Sequence, residues 1–147
     1  MPEYGLKGRF MNKVEALAKF LSVATFDLEY PNGNDNSDTF KSGREEYLVL
    51  TDNEADEMAR EYILNSIWAF NPSFLAAHAR EGISEDIFKA IQDNNCCEDN
   101  NKAIAALIED LNHFVEDAIR ADGRGHFLGN YDGEENESGD FYIYRTN

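Results

Sequence analysis

The sequence predicts an α+β fold, with about five helices packed on a small antiparallel sheet of three to four strands. Three observations lead there. Several runs place apolar residues at three-and-four spacing, as amphipathic helices do. Two β-prone runs each follow a Ser-Gly turn. A chain of 147 residues with 42% hydrophobic content has enough apolar surface for one core and too little for two comfortable ones, so a single domain over 1–147 is expected.

Asn12 is placed to cap a helix over about 13–24, with Val14, Leu17, Ala18 and Leu21 inward. Phe26, Leu28 and Tyr30 alternate, which predicts a short strand over 25–30 unless the preceding helix runs on, and Pro31–Asp38 reads as a loop. Thr39-Phe40-Lys41, a Ser42-Gly43 turn and Glu45–Leu50 read as a hairpin. Thr51 and Glu54 form a capping box that opens a helix over about 52–69, with Ala55, Met58, Ala59, Tyr62, Ile63, Ile67 and Phe70 inward. Pro72 starts a short helix that Gly82 ends, and Ser84 opens another over about 85–93. The longest helix is expected over about 101–121, where Ile104, Leu107, Ile108, Leu111, Phe114, Val115, Ala118 and Ile119 recur. Gly123 and Gly125 terminate it, Phe127-Leu128 begins a strand, Asp132–Asp140 is an acidic turn region and Phe141–Tyr144 is the last strand. Tyr47–Asp52 and Tyr142–Asn147 echo one another behind their Ser-Gly pairs, as two similar hairpins in one sheet would.

Charge is the strongest compositional signal. Twenty-nine Asp and Glu against thirteen Lys and Arg leave a net −16. Residues 45–61 carry −6 and residues 109–140 carry −8, so two segments hold nearly all of it. Such a chain is repelled by phosphates and anionic lipid, which argues against direct nucleic acid binding and against a membrane surface. The N-terminus lacks a signal peptide's apolar stretch, and no apolar run reaches the roughly 20 residues of a membrane span, so a cytoplasmic protein is expected.

Motifs for catalysis are weak. In Asp122-Gly-Arg-Gly-His126, Arg124 could grip an anion and Asp122 could orient His126 as a base. A glycine helix stop, with Arg124 pairing a nearby carboxylate, explains the same letters, and no nucleophile stands at a defined spacing. Adjacent Cys96 and Cys97 lack a redox or zinc spacing, and His78, His113 and His126 are scattered without a helical ligand pair of the His-Glu-x-x-His kind. Asn32, Asn34, Asn36 and Asp38 imitate part of a calcium loop but meet Gly43 where the closing glutamate belongs, and Asp132–Glu137 is equally incomplete. No metal and no cofactor is therefore expected, and no enzyme.

Glu46–Glu57, Glu61–Phe70, Asp122–Leu128, Tyr131–Glu135 and Tyr142–Asn147 resemble a group of small acidic, mostly uncharacterised proteins of bacteriophages and mobile elements. The likeness covers about 44–147, the main body, and leaves 1–43 as a variable N-terminal helix and loop. It implies a setting in which small acidic proteins imitate DNA and block restriction or CRISPR machinery. Glu57 and Glu61 stand one helical turn apart, as do Glu109, His113 and Asp117; a 5.4 Å turn is close to the scale of phosphate spacing. The expected function is a non-enzymatic nucleic-acid-mimic inhibitor. Its expected partner is a basic nucleic-acid-binding host protein, met through Asp56, Glu57, Glu61, Glu109, Asp110, Glu116, Asp117, Glu134 and Glu135. Association into a homodimer is left open. The alternative is an adaptor that binds a host protein through the aromatic C-terminal strand, with Tyr142 and Tyr144 and the nearby Tyr131.

Overall fold

The structure, a computed structural model, describes residues 11–30, 38–94 and 97–147. The α+β class holds: among the described residues there are seven α-helices and one four-stranded antiparallel sheet. The chain divides into two compact units, one built from Met1–Glu57 with Arg124–Asn147 and the other from Met58–Gly123. No helix of the described residues is long and apolar enough to cross a membrane.

The first unit holds the sheet. Helix α1 (Lys13–Leu21) opens with a reciprocal cap, in which Asn12 Oδ1 accepts from the Glu15 amide and Glu15 accepts from the Asn12 amide, each at 2.9 Å. Ser22, at φ 59°, closes it, so the helix stops at Leu21 rather than running to 24. The strand expected over 25–30 is instead a 3₁₀ turn at Thr25–Asp27, followed by a lone bridge from Glu29 to Lys41. Asp27 accepts from the Ala24 amide, a local bond that competes with extended backbone and leaves Phe26 88% exposed. Of the expected loop Pro31–Asp38, only Asp38 lies within the described residues.

Strands β1 (Thr39–Ser42) and β2 (Glu45–Leu50) form the expected hairpin, turning on Gly43-Arg44 with Gly43 at φ 65°. Strands β3 (Asn136–Ser138) and β4 (Phe141–Arg145) form a second hairpin, turning on Gly139-Asp140 with Gly139 at φ 60°. β3 lies in the region expected to be acidic turn alone; pairing with β4 imposes the extended form on Asn-Glu-Ser. The sheet order is β1-β2-β4-β3. A shift of 96 residues carries the pair Ser42–Glu45 onto Ser138–Phe141, and Leu48 onto its own partner, Tyr144. The two hairpins are thus related by a local twofold through the Leu48–Tyr144 pair. The echo in the sequence finds this relation but misplaces it by one residue: Tyr47 is equivalent to Ile143, not to Tyr142. One residue is enough to exchange the faces of a strand.

One sheet face carries Phe40, Tyr47, Val49 and Ile143, buried with Leu17 and Ala18 of α1 and with Leu28. Tyr30 meets Phe40 edge-on, with centroids 5.3 Å apart. Ser138 Oγ donates to the Ala16 carbonyl at 2.8 Å and fastens α1 to β3. Helix α1 is therefore part of the sheet unit rather than an appendage to it. Thr51 and Glu54 make the expected capping box of α2 (Asp52–Asn65). Lys13 reaches Glu54 at 2.7 Å and also pairs with Asp38. Burial opposes the Lys13 ammonium, but these two carboxylates more than reverse that and hold its pKa above the ordinary lysine range.

In the second unit, α2 ends at Asn65 rather than running to 69, and a 3₁₀ turn follows at Ile67–Ala69. Distant side chains satisfy the backbone there. Asn101 accepts from the Trp68 amide and donates to the Asn65 carbonyl, while Gln92 donates to the carbonyls of Trp68 and Phe70. Ala59, Ile63 and Ile67 are buried, whereas Tyr62, expected inward, lies on the flank of that stripe and is exposed. Helix α3 (Pro72–Ala77) starts on the Asn71 cap with Pro72 at its first position. It ends at His78, four residues before Gly82. Helix α4 (Glu85–Asn94) buries Phe88, and a 3₁₀ turn at Cys97–Asn100 leads on.

The long helix expected over 101–121 is two helices, α5 (Asn101–Ala106) and α6 (Leu111–Asp122). The Arg80 amide donates to the Leu107 carbonyl and the Glu109 amide to the His78 carbonyl. This pairing pulls the chain out of helical geometry. Asp110 then restarts the helix as its N-cap, accepting from the amides of Asn112 and His113. After Gly123, back in the first unit, Arg124–Leu128 form the short helix α7, where a strand start was expected.

Candidate functional site

Arg124, the third letter of Asp122-Gly-Arg-Gly-His126, is a structural hub of the sheet unit. Its side chain is only 10% exposed. One terminal nitrogen donates to Asp52 Oδ1 at 2.9 Å, to the Asp52 carbonyl at 3.1 Å and to Asp56 Oδ1 at 3.0 Å. Nε donates to Glu135 Oε1 at 2.8 Å, an oxygen that also accepts from the Tyr144 hydroxyl. The guanidinium carbon stands 4.7 Å from the centre of the Tyr142 ring. Burial works against the charge, yet the bonds to Glu135 and Asp52 outweigh it and push the pKa further up. The guanidinium is committed to this chain's own carboxylates.

Glycine makes the hub. The carbonyl of Gly133 and the backbone of Glu134 and Glu135 lie so close to Gly125 that a Cβ there would meet them at 2.5, 2.8 and 2.9 Å. That approach sets the Gly133–Glu135 segment against α7, one residue along from Arg124. Gly125 is therefore a packing device, distinct from the helix stop that Gly123 supplies at φ 85°.

The nine carboxylates expected to meet a partner fall into two groups. Four are used within the fold or drawn partly inward. Asp56 and Glu135 hold Arg124, Asp110 caps α6, and half-buried Asp117 pairs with Arg120 and faces His78 and His113. Glu109 is exposed and stands 3.5 Å from equally exposed Arg80, a pairing worth little. Glu57 and Glu61 on α2, Glu116 on α6 and Glu134 in the turn before β3 are exposed and have no ion pair among the described residues. Fold geometry brings Asp56 and Glu135 together through Arg124, and keeps Glu57 and Glu61 one turn apart on α2.

Charge counting on the sequence misses two things. Arg124 finds Asp52 and Asp56 72 and 68 residues away, which no local pattern encodes. His78 meets His113 and Asp117, although only the second pair carries a helical spacing in the sequence. In the acidic turn, Asp132 accepts from the Glu134 amide at 3.0 Å and Glu135 turns to Arg124. The Asn32–Asn36 loop and Cys96 lie outside the described residues.

Two phenols make the sheet unit sensitive to alkali. Burial, and then the 2.5 Å bond to Glu45, push Tyr47 up to about 12. Burial and the Glu135 carboxylate raise Tyr144 as well. A phenol with a higher pKa folded than unfolded adds stability that is fully present below about pH 10 and lost as pH climbs through the folded value. Urea midpoints should therefore hold level to about pH 10 and then fall. The double variant Tyr47→Phe/Tyr144→Phe should flatten that fall; an unchanged profile would refute the assignment.

Compared with protein-family models, with curated proteins and with solved structures, the chain matches none.

Proposed function

We propose that the chain is a non-enzymatic, acidic inhibitor that imitates the backbone of a nucleic acid and occupies the binding groove of a basic, nucleic-acid-targeting host protein of the restriction or CRISPR kind. One observation carries the reading. A net charge of −16 is concentrated in two segments, and Glu57, Glu61, Glu116 and Glu134 stand exposed without a partner of their own among the described residues. Glu57 and Glu61 are held one helical turn apart on α2, so little ordering of that pair is left to do on binding. Their shared field would steer association and make it sensitive to salt. Asp56, Asp110, Asp117 and Glu135 have internal tasks and are removed from the contact set; Glu109 belongs to its margin.

The adaptor reading has little surface to use. β4 is paired on both sides, by β2 and β3. Tyr144 is buried and Tyr142 lies against Arg124, while Tyr131, 58% exposed, carries the Arg145 guanidinium over one ring face at 3.6 Å.

The test is capture of host proteins from a bacterial lysate at low and high salt, with duplex DNA as competitor. The chain should capture a basic protein at low salt and release it to high salt or to DNA. Glu57→Lys/Glu61→Lys/Glu116→Lys/Glu134→Lys, which halves the net charge to −8, should slow association by about 10- to 1,000-fold. Each single reversal should change it little. Capture that survives high salt, ignores DNA and tolerates the fourfold reversal would end the mimic reading.

A further inference from the structure

We propose that His78, His113 and Asp117 form a binding site for a first-row divalent metal ion, and that Zn²⁺ is the cation it fits best. The site lies in the second unit and is independent of the acidic surface. His78 ends α3, with the Phe74 ring 5.2 Å away and the Phe114 ring edge-on at 5.4 Å. The pairing of residues 78–80 with 107–109 fixes it beside the start of α6. His113 and Asp117 stand one turn apart on that helix and so share a face. The three ligand atoms all lie within 4.8 Å of one another.

Two of the three ligand–ligand distances suit a metal. Asp117 Oδ2 is 3.2 Å from His78 Nε2 and 3.6 Å from His113 Nε2. The second distance is too long for a hydrogen bond. Both are close to the edge of a zinc tetrahedron, which is about 3.3 Å for ligands at about 2.0–2.1 Å from the metal. Two imidazoles and one carboxylate are the donor set of zinc and its neighbours, whereas calcium and magnesium take oxygen. Three protein ligands leave the fourth position open to water. A supporting shell is present: Arg120 bonds the other Asp117 oxygen, and the Phe74 and Phe114 rings pack against His78. His78 is 10% exposed while His113 is 59% exposed, so one side is closed and the other offers an entry path.

Calorimetric titration of the purified full chain with Zn²⁺ alone should show one equivalent bound. Co²⁺ should give the visible absorption of a tetrahedral site. His113→Ala, at the exposed corner, should keep its circular dichroism and weaken Zn²⁺ binding by at least about tenfold. His78→Ala and Asp117→Asn should do the same, and Glu57→Gln/Glu61→Gln should not. Absence of a one-equivalent isotherm in the parent chain, or unchanged affinity in folded His113→Ala, would overturn the site.

Discussion

Gly125→Ala should unfold the sheet unit more readily than the parent chain, because its new methyl meets the tightest backbone contacts of any described glycine. In a helix, exchanging glycine for alanine normally gains about 1 kcal/mol. Here the new methyl would stand 2.5 Å from the Gly133 carbonyl oxygen and under 3 Å from two further backbone atoms. Backbone cannot swing aside as the tip of a side chain can. Overpacking of this kind costs about 3 kcal/mol, which outweighs the helical gain and should lower the melting temperature by roughly 4–8 °C at about 2–4 °C per kcal/mol. Gly123→Ala is the control. Its Cβ meets open space, and the backbone alone, at φ 85° and ψ 151°, resists it, at about 1–3 kcal/mol. The tyrosine signal in near-UV circular dichroism reads chiefly the sheet unit, which holds Tyr30, Tyr47, Tyr131, Tyr142 and Tyr144, whereas Tyr62 and Trp68 lie in the other one. Gly125→Ala proving no less stable than the parent chain would remove the close approach as the reason for glycine.

That comparison also marks where the sequence is legible. Short-range chemistry reads well. The Asn12 cap, the Thr51–Glu54 box and the first hairpin depend on residues a few positions apart, and all occur where the letters place them. Features decided by a distant partner do not read. Leu107–Asp110 carries helical periodicity, and Asp110 looks like one more carboxylate on an outer face until residues 78–80 pair with 107–109 and turn it into a cap. Arg124–Leu128 follows a glycine stop and begins with a Gly-spaced pattern, so it resembles a loop, yet it folds as α7. Exposure of acids is legible from their number. Which of them are neutralised is not, since Asp56 and Glu57 are adjacent letters with different tasks.

Arg124→Ala should destabilise the same unit by about 3 kcal/mol, nearer the lower end of what loss of a buried ion-pair partner costs. The moderation has a reason: Asp52 and Asp56 are 66% and 57% exposed and can turn to water, while Glu135, at 32%, is left less able to do so. Arg124→Lys should recover only part of the loss, because a single ammonium cannot serve Asp52 and Glu135 in two directions or lie flat against Tyr142. Combining Arg124→Ala with Glu135→Gln should cost less than the two changes added together, with a coupling of about 1–2 kcal/mol; strict additivity would show that Glu135 does not depend on Arg124. Binding should move the other way. Without its guanidinium, the hub releases two exposed aspartates and the net charge deepens from −16 to −17, so an acidic mimic assayed below its melting temperature should capture its basic partner as well as before or better. An enzyme that used Arg124 to grip an anionic substrate would instead lose its function with this one change. Stability lost while capture is kept separates a structural arginine from a catalytic one.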